Sequence, residues 1–130
     1  MAAIMAAAVS SHDIAARSVS ASSRHQTAIG LALRYLIANF RDEIRLDGLL
    51  KLTGMSRPTF ARQFKEQSGR TLSEFVNELR LQAACRELLE SDRSVLEISL
   101  ECGFGQISFF NRLFRREKGC SPREFRAKGC

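Results

Sequence analysis

From Ala28 onward, apolar residues recur at helical spacing between short polar breaks. Ile29, Leu33, Leu36 and Phe40 follow one another every three or four residues, which predicts an amphipathic helix over 28–39. The same spacing predicts further helices over 48–53, 58–67, 72–90, 95–102, 107–117 and 122–127. No stretch shows the two-residue alternation of a half-buried strand. The predicted fold class is therefore all-α, with about seven helices.

Capping residues mark where several of these helices begin. Three hydroxyl residues each stand three positions before a glutamate, which predicts capping boxes. The pairs are Thr71 with Glu74, Ser94 with Glu97 and Ser121 with Glu124. Asp47 is the predicted cap of the helix over 48–53, and Pro58 suits a first-turn position.

One unit of the sequence occurs twice. The phrase GRTLSEF at 69–75 returns as GCSPREF at 119–125, and the likeness extends upstream to two phenylalanines that flank an arginine. These are Phe60, Arg62 and Phe64 in the first copy and Phe110, Arg112 and Phe114 in the second. Each copy consists of a short helix, a glycine turn and a second helix. This is the helix-turn-helix motif, whose second helix can enter a major groove of DNA.

Positive charge is concentrated on the two second helices. The chain has a formal net charge of +6 and an isoelectric point near 9.7. Residues 107–128 hold seven basic and two acidic side chains, and residues 57–70 hold four basic and one acidic. Two copies of a basic helix-turn-helix favour double-stranded DNA as the partner.

The predicted helix over 72–90 connects the two copies. About 18 helical residues span roughly 27 Å, and successive major-groove entries on one face of B-DNA lie about 34 Å apart. We therefore expect one chain to present both second helices to a single duplex, as an isolated monomeric domain.

The sequence offers little for catalysis, cofactors or membranes. The four cysteines form no CxxC pair, and both histidines, His12 and His25, precede the folded region, so no metal site, cofactor or enzyme activity is expected. No apolar run approaches the roughly 20 residues of a membrane span. We expect a cytoplasmic protein with no membrane partner and with reduced cysteines.

These motifs resemble the AraC/XylS family of bacterial transcription regulators over about residues 28–128. The stretch ISLECGFGQISFFNRLFRREKGCSPREFR, residues 98–126, is similar to the family's C-terminal signature almost position for position, and LTGMSRPTFARQFKEQSGRTLSEF, residues 52–75, matches a less stringent first motif. The resemblance implies seven helices in two subdomains, with the third and sixth entering adjacent major-groove segments. It also implies contact with RNA polymerase in members that activate. Leu50 and Ser99 depart from the family's usual alanines.

The residues expected to touch DNA lie on the second helices, opposite the phenylalanines. The candidates for base contact are Arg57, Thr59, Arg62, Gln106, Ser108, Phe109, Asn111 and Arg112. The candidates for phosphate contact are Lys65, Arg115, Arg116, Lys118 and Arg123. Arg62 and Arg112 occupy the same place in the repeat, where an arginine fork can bind the O6 and N7 of guanine.

The predicted organisation is a flexible Ala/Ser-rich tail over 1–27 and a DNA-binding domain over 28–130. The domain divides into a first helix-turn-helix subdomain over 28–70, the connecting helix over 72–90 and a second subdomain over 94–128. Most relatives in the family also carry a ligand-binding or dimerisation domain, so the chain is either a short regulator or a fragment.

Two alternatives to a transcription regulator stay open. One is the DNA-binding part of an alkylation-repair methyltransferase, in which Cys85 or Cys120 would accept a methyl group. The other is a helical bundle that binds proteins and never meets DNA.

Overall fold

The computed structural model describes residues 20–130, and within that range it contains seven α-helices and no strand. The helices are α1 Ser20–Asn39, α2 Leu46–Thr53, α3 Arg57–Ser68, α4 Leu72–Glu90, α5 Val95–Glu101, α6 Ile107–Lys118 and α7 Pro122–Lys128. The predicted all-α fold class is confirmed. None of the helices in the described range is long and apolar enough to cross a membrane.

The first helix is longer than the pattern predicted. It begins at Ser20, whereas the apolar stripe predicted a start at Ala28. Residues 20–27, assigned to the tail, are therefore helical, and the rest of that tail lies outside the described residues. The segment carries too few apolar residues to show a stripe, but it contains no proline, so nothing in it prevents the helix from extending backwards.

All three capping boxes form. Glu74 N donates to Thr71 Oγ1 over 3.2 Å, and Thr71 N donates to Glu74 Oε1 over 2.9 Å. Ser94 with Glu97 and Ser121 with Glu124 make the same reciprocal pairs. The prediction for Asp47 was wrong. Because α2 starts at Leu46, its N-cap is Arg45, which makes no side-chain capping bond, and Asp47 lies in the first turn.

Within the described residues, the first of two compact units comprises Ser20–Asn39 together with Ile44–Val76. It contains α1, α2, α3 and the start of α4. Its core is made by apolar side chains that are at most 2 % exposed: Ile29, Ala32, Leu33, Leu36, Leu49, Phe60, Phe64 and Phe75. The first helix-turn-helix is therefore a packed element with α1 as part of its support.

The second unit comprises Phe40–Glu43 and Asn77–Cys130. Its core cluster includes Leu81, Ala84, Leu88, Ile98, Cys102, Phe104, Phe110, Leu113 and Phe114, and Phe40 packs against it. Ser99, the departure from the usual alanine, is fully buried and donates to Leu96 O over 2.8 Å, so its hydroxyl is satisfied.

The cysteines differ from the expectation of four reduced thiols. Cys120, in the turn before α7, forms a disulfide with Cys130, just beyond the end of α7. Their Cα atoms are 6.5 Å apart, so the bond joins the two ends of the short α7. Cys85 and Cys102 are free thiols, and burial raises the pKa of both.

Candidate nucleic-acid interface

The first helix-turn-helix consists of α2, a turn at Gly54 and α3. Gly54 closes α2 in the left-handed conformation, with φ of 70°. Ser56 then caps α3 by accepting from Thr59 N over 3.4 Å, and Pro58 lies in the first turn. Phe60 and Phe64 are buried on one side of α3, which leaves its opposite side facing solvent.

The candidate side chains of α3 are not equally available. Arg62 and Lys65 are exposed. Arg57 is exposed as well, and its guanidinium donates to Asp47 Oδ1 over 3.4 Å. Thr59 is half-buried, and its hydroxyl accepts a hydrogen bond from Ser56 Oγ over 3.0 Å, which uses one of its acceptor sites. Arg62 is thus the strongest base-contact candidate of this helix.

The second helix-turn-helix consists of α5, a turn at Gly103 and α6. Phe104 follows the glycine and is buried, with its ring centroid 4.9 Å from that of Phe110. Phe110, Leu113 and Phe114 make the buried side of α6. The aromatic side chains therefore fix which face of α6 is turned outward.

All five base-contact candidates of α6 are exposed: Gln106, Ser108, Phe109, Asn111 and Arg112. Gln106 is the N-cap residue but makes no capping bond with its side chain. Phe109 is 37 % exposed, and its ring centroid lies 6.3 Å from that of Phe104. The solvent-facing side of α6 thus offers amide, hydroxyl, aromatic and guanidinium groups together.

The phosphate-contact candidates of the second unit gather at the end of α6 and the start of α7. Arg115 and Arg123 line one cleft of about 450 Å³ with Asn111 and Ser121. Arg115 also lies 3.7 Å from Glu124, and Arg116 Nε donates to Glu117 over 3.1 Å. Lys118 is half-buried. The surface is basic, although two of its arginines have acidic neighbours.

The pKa of the two equivalent glutamates of the repeat is lowered in the same way. Hydrogen bonds from Thr71 lower the pKa of Glu74, and hydrogen bonds from Ser121 lower the pKa of Glu124. Both carboxylates therefore stay ionised at neutral pH, at helix N-termini where negative charge is favourable.

Two arginines in the second unit have roles that the sequence pattern did not reveal. Arg126 was counted with the basic surface, but it donates to Leu88 O over 3.0 Å and to Ser91 O over 3.2 Å. Arg80 donates to Phe40 O over 2.7 Å and to Asp42 O over 2.9 Å. In both cases the partner is a backbone carbonyl at least 35 residues away, and charge patterning carries no signal for such a contact.

The two cysteines considered as methyl acceptors are poorly placed for that chemistry. Cys120 is held in the disulfide, and the pKa of the Cys85 thiol is raised by burial. A raised pKa keeps the thiol protonated, whereas the thiolate is the nucleophile. Among the described residues there is also no group of histidine, cysteine and acidic side chains arranged to hold a metal ion.

Two helix-turn-helix motifs with exposed basic second helices define a tandem helix-turn-helix DNA-binding domain. A family described as "Helix-turn-helix domain" matches residues 49–128. A transcriptional regulator from Chromobacterium violaceum with an AraC-type DNA-binding domain is 31 % identical, with a TM-score of 0.70 over 79 % of this chain and 92 % of that one. The chain belongs to the AraC family of transcription regulators.

Two further relatives support this assignment. The DNA-binding domain of AdpA, a global transcriptional factor crystallised with a target DNA, is 29 % identical, with a TM-score of 0.72 over 76 % of this chain and 89 % of that one. The transcriptional activator RhaS of Escherichia coli strain SE11 is 39 % identical over 98 residues, which are 75 % of this chain. The match spans only 35 % of the length of RhaS.

Proposed function

We propose that this chain regulates transcription by binding double-stranded DNA, with α3 and α6 in adjacent major-groove segments. The observation that carries the proposal is the equivalence of Arg62 and Arg112. Each is exposed, and each lies between two phenylalanines buried on the opposite side of its helix. The same side chain is thus presented by two copies of one motif, as a reader of two groove segments requires.

Sequence is read by the exposed side of the two helices. Arg62 and Arg112 each bind the O6 and N7 of a guanine, and Phe109 packs against a thymine methyl. Arg57, Gln106, Ser108 and Asn111 offer further hydrogen-bond partners, whereas Thr59 contributes less because it is half-buried and accepts a bond from Ser56. Since α6 presents more such groups than α3, the second helix reads more bases.

Affinity that does not depend on sequence comes from the surrounding cations. These are Lys65, Arg115, Arg116, Lys118 and Arg123. Each phosphate they neutralise releases counterions, so binding weakens as salt is added. The proposal includes the cytoplasm as location, a monomeric DNA-binding domain over 28–130, contact with RNA polymerase and no enzymatic activity.

Selection of bound sequences from a random DNA pool tests the proposal. The expected product is a site of two conserved boxes with centres about one helical turn, roughly 34 Å, apart. A gel shift on that site at several salt concentrations then measures specific and non-specific affinity. If no box is enriched, or if the selected and random duplexes bind equally, the proposed sequence-specific function is wrong.

A further inference from the structure

The short segment between α1 and α2, Phe40–Glu43, belongs to the second unit although both flanking helices belong to the first. Phe40 packs against the second core. Arg41 lies over the Phe40 ring at 5.2 Å from its centroid and donates to Cys102 Sγ over 3.9 Å. We call these four residues the 40–43 segment. It is attached to the unit that contains α6.

Arg80 of α4 holds the 40–43 segment by its backbone. Its Nε donates to Phe40 O over 2.7 Å and its Nη2 to Asp42 O over 2.9 Å. The two bonds use the planar fork of the guanidinium, in which the donors have fixed directions. Arg80 is half-buried, and this burial lowers its pKa, although the group remains charged at neutral pH.

Arg80 and the 40–43 segment also contact the turn of the second helix-turn-helix. Gly103 has a φ of 103°, and a Cβ built there would lie 2.7 Å from Arg80 Nε, 2.9 Å from Phe40 O and 3.0 Å from Arg41 O. The glycine backbone thus rests directly on the hydrogen bond between Arg80 and Phe40. Phe104 follows, with its amide donating to Ser99 O over 2.9 Å, and leads into α6.

Among the described residues, the turn of the first helix-turn-helix has no equivalent contact. Gly54 occupies the equivalent place, and nothing lies within 4 Å of a Cβ built on it. Within the described range, the contact is therefore particular to the second copy of the motif. This asymmetry indicates a task particular to α6.

We propose that Arg80 is a positioning residue for DNA reading by α6. It fixes the 40–43 segment beneath Gly103, and the supported turn sets the direction in which α6 presents Arg112 and its neighbours. Without the two donors, the carbonyls of Phe40 and Asp42 lose their partners and the support under the turn loosens. The inference rests on the proposed function, because it concerns which bases α6 reads.

The experiment compares four proteins on the DNA site selected by the wild type. They are the wild type, Arg80→Ala, Arg80→Lys and Arg86→Ala, an exposed arginine on the same helix that makes the same change of charge. The box read by α6 is first identified as the one whose preference Arg112→Ala relaxes. Discrimination is then measured as the affinity ratio between the selected site and sites with one altered base pair in either box.

In the wild type we expect each altered base pair to cost about tenfold in affinity. Arg80→Ala should bring this ratio close to one in the box read by α6 and leave it near tenfold in the other box. Arg80→Lys should recover part of the loss, because an ammonium can donate to one of the two carbonyls. Arg86→Ala should match the wild type in both boxes.

A merely structural role for Arg80 predicts a different result. Thermal unfolding, followed by circular dichroism, identifies a temperature at which every variant is folded, and DNA binding is measured at that temperature. If Arg80→Ala does not fold, Arg80→Gln is used in its place. Equal discrimination by Arg80→Ala and the wild type, or equal loss in both boxes, would overturn the positioning role alone. Absence of discrimination in the wild type would overturn the proposed function, and this inference with it.

Discussion

The rings of Phe114 and Phe125 lie 5.4 Å apart between centroids and meet at 78°, close to edge-to-face. Their counterparts in the first unit, Phe64 and Phe75, lie 5.5 Å apart and meet at 89°. The duplication in the sequence is therefore also a duplication of packing. In each unit, a phenylalanine of the motif's second helix packs against a phenylalanine of the helix that follows.

This packing predicts a large and similar loss of stability when a core phenylalanine of α3 or of α6 is replaced by alanine. Phe64 and Phe114 are both fully buried. Phe64→Ala and Phe114→Ala should each lower the free energy of unfolding by about 3–5 kcal/mol, measured by urea denaturation. Phe109→Ala, at a partly exposed position of α6, is the control and should cost about 1 kcal/mol or less. Core variants as stable as this control would contradict the assigned packing.

Arg112→Ala should weaken binding to the selected DNA site by about 1–3 kcal/mol and relax specificity at one base pair. The reason is the loss of a bidentate contact to guanine. Lys65→Ala is the matched control, because a lost phosphate contact weakens all sequences alike and reduces the salt slope by about 1. Gel shifts on selected and random duplexes separate the two cases. An equal loss on both duplexes for Arg112→Ala would assign Arg112 to phosphate instead.

The glycines of the two turns should respond differently to alanine. Gly54→Ala places a Cβ in the left-handed region, which costs about 1–2 kcal/mol. Gly103→Ala should cost more, because its Cβ would also meet Arg80 Nε at 2.7 Å and Phe40 O at 2.9 Å. Gly105→Ala has open space around the new Cβ and should change stability little. Thermal unfolding of the three variants ranks them, and a ranking with Gly54→Ala as the most destabilised would refute the crowding at Gly103.

The repeated capping boxes predict a dependence of stability on pH. Hydrogen bonds from Ser121 lower the pKa of Glu124 below its ordinary 4.5, so its contribution is complete above that value and is lost as the pH falls through the lowered pKa. Glu124→Gln keeps an acceptor for the box but does not titrate. Melting temperatures of the two proteins should therefore differ at pH 7 and converge in acid. A difference that stays constant with pH would show that ionisation of Glu124 does not contribute.

The disulfide across α7 predicts a redox effect on stability. A loop of this length stabilises the fold by about 2–3 kcal/mol when closed, mainly by restricting the unfolded chain. Addition of dithiothreitol should lower the melting temperature of the wild type, and Cys130→Ser should reproduce that lower value without reductant. Further reduction should then leave Cys130→Ser unchanged. Equal melting of the oxidised wild type and the variant would show that the bond adds no stability.

Local signals explain how much of the fold could be predicted. Capping boxes, glycine ends and the spacing of apolar residues depend on neighbours within about four positions, so the three boxes and all seven helices were predicted. The prediction that Asp47 caps α2 was wrong because this helix begins at Leu46, slightly earlier than the pattern indicated. The roles of Arg80 and Arg126, and the pairing of Cys120 with Cys130, depend on contacts between distant parts of the chain, for which one sequence has no local marker.

The candidate site was likewise predictable only in part. The repeat predicted which helix faces would be exposed, and the exposed positions of Arg62 and Arg112 agree with it. The repeat could not predict that Thr59 is half-buried and accepts a hydrogen bond from Ser56, the cap residue of its helix. Which of these side chains read bases stays a prediction, because that depends on the bound DNA.

The course of the backbone has a practical consequence for cloning. The chain leaves one unit for the other at Asn39, returns after Glu43 and leaves again after Val76. A single cut after Val76 therefore keeps both segments of the first unit together but separates residues 40–43 from the rest of the second unit. A fragment that starts at Asn77 would lack Phe40, and the core side chains against which this ring packs would be exposed to water. An isolated second half would need residues 40–43 grafted onto it by a designed linker.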